Sequence, residues 1–109
     1  MKQIDITKDT FGERIEKSPP FAKDVVIVFS DDVSLATMKL FKKESGKTNR
    51  WMDPMLKEMV VDWNLFEKGK KLPFSVEGLN KINSIKLRDW IIATLQEVVV
   101  GTLTGIKKK

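Results

Sequence analysis

Asp31 and Asp32 are the chain's one pair of adjacent carboxylates. A calcium loop would need further oxygen ligands at fixed spacing after such a pair, and none follows. Exit from a strand and capping of the next helix is the role the pair fits. Ser30, Ser34 and Ser45 have no histidine anywhere in the sequence to activate them, which excludes a conventional serine nucleophile. There is no cysteine either, so disulfides and thiolate metal sites are excluded. Asp62 and Glu67 flank a turn with no partner that nominates an acid or base role. Lys68-Gly69-Lys70 suggests phosphate contact, but a phosphate-cradling loop needs a longer glycine-framed run ending in Lys-Ser or Lys-Thr. Carboxylates and lysines remain for catalysis, but without histidine or cysteine the expected chemistry is recognition. No catalytic residue, cofactor or metal ligand is assigned, and an enzyme is not expected.

The elements that must position a recognition surface are legible along the chain. Residues 1–23 read as an N-terminal arm. Ile4 and Ile6 alternate with polar neighbours as in a short edge strand, and Thr10 to Ile15 reads as a brief helical turn. Ser18-Pro19-Pro20 then stops any regular element. Phe11, Ile15 and Phe21 are the anchors by which the arm would lie across the domain. Residues 24–101 form the compact body. Asp24 to Ser30 is the clearest strand, apolar on both faces, and belongs at a sheet centre or under cover on both sides. Asp32 or Ser34 caps a helix through Met38, Leu40 and Phe41 that stops at Ser45-Gly46. Asp53 as cap with Pro54 in the first position starts a second helix. Leu56, Met59, Val60 and Trp63 share its apolar face, and the helix yields near Trp63.

Trp63 to Phe66 and Lys71 to Phe74 then read as two short strands joined by a four-residue loop containing Gly69. Ser75 caps a short helix with Val76, Leu79 and Ile82, and Asn83 or Ser84 caps the last long one. Leu87, Ile91, Thr94, Leu95 and Val98 make a stripe that Trp90, Ile92 and Val99 widen. Residues 102–109 read as a flexible basic tail. The fold class is α+β: a mainly helical single domain with one central strand and a short β-hairpin.

The 109 residues are 41% hydrophobic and 32% charged, with a formal charge of +5, ordinary values for one globular domain. The lysines at 68, 70 and 71 and at 107–109 read as solvated surface. A nucleic-acid surface would add exposed aromatics or a recognisable module, so nucleic acid is not an expected partner. No run of about 18 apolar residues suggests a membrane span, and the first residues lack the apolar core of a signal peptide. A cytoplasmic, reducing location fits.

The breadth of the last helix's apolar surface implies contact on two sides, one with the core and one with a partner. Trp63 and Trp90 sit on apolar faces, whereas Trp51 precedes a helix in a polar loop and is the aromatic expected to be exposed. Met52, Met55 and Met59 fall at core spacing, although a methionine stripe also suits an adaptable groove. Trp51, Met55, Trp90, Ile92 and Val99 are the candidate partner-binding residues.

The segments Val60 to Leu65, Gly69 to Ser75 and Glu77 to Ile82 resemble the pattern V-x-W-x-L … D-G-K-x-L-P-x-T/S-x-E-N-L-x-x-L. That pattern occurs near the C-terminal end of small proteins encoded in tailed-bacteriophage structural gene clusters, many of them tail assembly chaperones. The match spans about a third of the chain. Lys68 stands where the pattern has an acidic residue, and Gly78 where it has asparagine. The resemblance implies a non-enzymatic morphogenesis protein in the cytoplasm of the bacterial host, binding the tape-measure and tail-tube proteins or itself. A permanent virion component (head–tail connector, tail or capsid-associated) is the alternative it leaves open. A small basic nucleic-acid-binding protein is a third reading, resting on charge alone.

Overall fold

The computed structural model describes residue 3 and residues 11–104. Their order is β1 (Arg14–Lys17), β2 (Ile27–Ser30), α1 (Leu35–Glu44), α2 (Met52–Met59), β3 (Val60–Trp63), β4 (Phe66–Glu67), β5 (Lys70–Lys71), α3 (Val76–Asn80) and α4 (Ile85–Thr104). The class is α+β, but the chain is not mainly helical: an antiparallel three-stranded sheet, β1-β2-β3, and a separate two-stranded hairpin accompany four helices.

β2 takes the central position, as its two apolar faces require. Ile27 and Phe29 are fully buried on the side that meets the helices, while Val28 and Ser30 are half-buried on the other. β1 pairs with it from Arg14 opposite Ser30 to Lys17 opposite Ile27. This corrects the helical turn expected near Ile15. The Asp31 and Asp32 carboxylates accept the backbone N–H groups of Glu13 (2.8 Å) and Phe11 (2.8 Å), which draws the arm into a strand. Ile15 packs against the core, but Phe11 is 65% exposed and is no anchor. Phe21 is also exposed, with the Lys86 ammonium 4.7 Å from its ring centroid. The strand expected at Ile4 and Ile6 lies outside the described residues.

β3 follows α2 without a loop. Its register against β2 places Trp63 opposite Ile27 and Val60 opposite Phe29, with a bulge at Val61. One extra residue in a strand lets side chains three apart point to the same face. Val60 and Trp63 therefore both enter the core from a strand, not from the helix their spacing suggests. Asn64 extends the pairing: its Oδ1 accepts the Val26 N–H (2.9 Å) and its Nδ2 donates to the Asp24 carbonyl (2.7 Å).

The helices are capped locally and across the fold. Ser34, not Asp32, caps α1 and accepts the Thr37 N–H. Glu58 of α2 accepts from the Ser34 N–H, the Ser34 hydroxyl and the Thr37 hydroxyl. Asp53 lies inside the first turn of α2 instead of capping it, and its Oδ1 accepts the Val76 N–H at the start of α3 (2.9 Å). Ser84 caps α4 through the Leu87 N–H. α4 continues past Gly101 to Thr104. The core between helices and sheet is formed by Ile27, Phe29, Met55, Leu56, Met59, Trp63, Leu79, Ile91, Leu95 and Val99, each at most 2% exposed.

Candidate partner-binding surface

The segment from Trp63 to Gly78 is a self-bracing unit. The Trp63 indole N–H donates to the Leu72 carbonyl (3.0 Å) inside the protein, and Phe74 packs edge-on to the indole, with centroids 5.2 Å apart. The buried indole thus holds both ends of the β4–β5 hairpin. The turn is two residues, Lys68 and Gly69, with φ of 50° and 83°. The expected loop was four. Two consecutive positive φ values define the primed turn that matches the twist of antiparallel strands. Ser75 then caps α3, and Gly78 packs so tightly on Pro73 that a Cβ there would lie 2.0 Å from the Pro73 carbonyl oxygen.

Charges ornament the hairpin's outer side. The Lys71 ammonium bonds the Asp62 carboxylate (2.6 Å) and lies 5.8 Å from the Phe66 ring centroid, and Lys81 reaches Glu67 (3.2 Å). The hydrogen bond from Lys71, reinforced by its charge, holds the Asp62 carboxyl below the usual carboxylate range. The Val76 N–H and then the Lys57 ammonium do the same for Asp53. Both perturbations come from neighbours within the fold. Among the described residues no group of three carboxylates, histidines or cysteines is close enough to hold a metal.

The surface available to a partner runs along α4. Ile91, Thr94, Leu95, Val98 and Val99 face the core. Ile85, Asp89, Ile92, Gln96 and Val100 recur at three- and four-residue steps on another face. Of these, Ile85 is 70% and Val100 47% exposed. Beside that stripe lies a groove of about 530 Å³ between α4 and the α1–α2 loop, lined by Lys47, Asn49, Trp51, Met52, Ile92 and Gln96.

The five residues expected to meet a partner are separated by the fold. Ile92 is half-buried and lines the groove. Trp51 borders the same groove but is 3% exposed, its ring edge-on to Phe41 at 5.0 Å. It is a core residue with one edge at the groove, because the polar loop carrying it folds back under α1. Met55 and Val99 are fully buried and unavailable to a partner. Trp90 is half-buried on the far flank of α4, in a second groove with Lys17, Ser18, Thr94 and Glu97. Sequence reasoning missed Ile85, Gln96 and Val100. Their helical spacing was available, but which side of a broadly apolar helix turns outward depends on what packs beneath it.

No helix among the described residues is long and apolar enough to cross a membrane. No protein-family model matches the chain, and neither a curated protein nor a solved structure is similar to it.

Proposed function

We propose that this chain is a non-enzymatic protein-binding factor of bacteriophage morphogenesis, acting in the host cytoplasm as a tail assembly chaperone for the tape-measure and tail-tube proteins. One observation carries the binding role: α4 is packed into the core on one side and offers Ile85, Ile92 and Val100 beside an open groove on another. Transient shielding of an apolar partner requires apolar surface of this kind. The bracing by Trp63, the turn at Gly69 and the Ser75 cap on α3 support the likeness to tail assembly chaperones by giving these three residues of the shared pattern a mechanical part.

Co-expression with the tape-measure and tail-tube proteins of the same phage tests the proposal. The expected result is co-purification of one or both, with the chain missing from mature virions by mass spectrometry. Retention in virions at stoichiometric amounts would replace the proposal with a permanent structural role. Capture of neither protein would overturn it.

A further inference from the structure

From charge as well as shape, and resting on the protein-binding role proposed above, we infer that the groove between α4 and the α1–α2 loop receives an acidic, amphipathic helix of a partner protein. Residues 33–52 contain five basic side chains, Lys39, Lys42, Lys43, Lys47 and Arg50, and one acid, Glu44. All five bases are exposed. Glu44 is buried and accepts a hydrogen bond from the Thr48 hydroxyl (2.9 Å), and it forms no ion pair with any of the five among the described residues. Among the described residues none of the five bases has a carboxylate within ion-pair distance, whereas Lys17, Lys57, Lys71 and Lys81 each do. Among the described residues no ion pair offsets the positive charge of this face.

The groove adjoins that face directly, with Lys47 at its rim and Trp51, Met52 and Ile92 in its wall. Along α4 the apolar stripe continues through Ile85 and Val100, and its one charged member is Asp89. Met52 and Ile92 give a mostly polar groove its apolar contact and Lys47 its charge, with the other four bases on the neighbouring α1 and loop surface, a combination that complements a helix carrying a short apolar stripe edged by Asp or Glu. A second copy of this chain would bring the same lysines to the contact and be repelled. Nucleic acid is disfavoured because Trp51 is covered by Phe41 and α1, leaving no aromatic face at the rim on which a base could stack.

Binding is measured with the full chain and three labelled probes: a 21-residue helical peptide with a leucine stripe flanked by glutamates, its counterpart with lysines in place of the glutamates, and a 24-base-pair DNA duplex. The acidic peptide is expected to bind at least ~10-fold tighter than the lysine peptide, more weakly as salt rises, and to shift the amide resonances of Lys47, Asn49, Ile92 and Gln96. The fourfold variant K39Q/K42Q/K43Q/K47Q, entirely on the surface, should lose ~10-fold or more in affinity with its thermal unfolding unchanged. Ile92→Ser should lose a comparable factor from the apolar side. Equal binding of the two peptides, indifference to the fourfold variant, or duplex DNA displacing the acidic peptide would each overturn the inference. Should the tape-measure protein be captured while the acidic peptide is ignored, only the groove assignment fails. If the peptide binds and no tail protein is captured, the groove stands and the morphogenesis role falls.

Discussion

Replacing Gly78 by alanine sets two physical effects against each other with opposite signs. Gly78 lies within α3, where alanine is favoured over glycine by about 1 kcal/mol. Propensity alone therefore predicts a stabilised protein. The packing predicts the reverse. The new Cβ would sit 2.0 Å from the Pro73 carbonyl oxygen and 3.1 Å from its carbon, against an ordinary C···O approach of about 3.3 Å. The two backbones must separate by roughly 1.3 Å to meet that approach. That movement pulls on the Ser75 N–H to Pro73 carbonyl bond (2.9 Å) and the Val76 N–H to Asp53 bond (2.9 Å). Each is worth about 1 kcal/mol net, more where a carboxylate accepts. With the overpacking cost, the balance is a loss of about 1–3 kcal/mol after the propensity gain is subtracted. In urea, with a slope of about 1–1.5 kcal/mol/M for a chain of this size, the unfolding midpoint should fall by roughly 0.7–3 M. Gly78→Asn should fall further. A Gly78→Ala protein as stable as the parent, or more so, would refute the packing argument.

Trp63→Phe should cost about 2–4 kcal/mol in urea unfolding, because the Leu72 carbonyl loses its buried donor and a cavity opens beside Phe74; a loss under about 1 kcal/mol would deny the indole its bracing role. Lys68→Asn should stabilise by about 0.5 kcal/mol, since asparagine tolerates the φ of 50° better than lysine, and a lowered melting temperature would contradict the turn geometry. The depressed Asp53 carboxyl adds stability that is complete above the unfolded-state value of about 3.9 and disappears as pH falls through its lower folded-state value. Asp53→Asn should therefore lower stability at neutral pH and flatten its acid-side decline, measured as urea midpoints from pH 7 to pH 3; parallel profiles would exclude Asp53 as a contributor.

Much of the local architecture needed only neighbours in sequence to be read. Ser34, Ser75 and Ser84 cap the helices that follow them because a hydroxyl reaches an N–H two or three residues on, an interaction set entirely by local chain geometry. Gly46 and Gly69 take positive φ where the chain must reverse. The Val-Ile-Val-Phe run had to be a strand with both faces occupied, and the inward stripe of α4 followed from its 3.6-residue period. The lack of histidine and cysteine excludes thiolate metal sites and a histidine-activated serine from the sequence alone.

What sequence could not decide were choices between partners far apart in the chain. Val60 and Trp63 lie three residues apart, a spacing shared by a helix and a bulged strand, and only pairing with β2 selects the strand. Residues 14–17 are weakly patterned and become β1 because Asp31 and Asp32 hold the arm's amides from across the turn. Trp51 stands in a polar loop and is nonetheless buried, since Phe41 arrives to cover it. The candidate surface on α4 follows the same rule. Ile92 and Val99 are both apolar residues of α4, yet one borders a groove and the other is enclosed. Local sequence sets the period of an apolar face; what the rest of the chain packs against it determines which part of that face stays exposed.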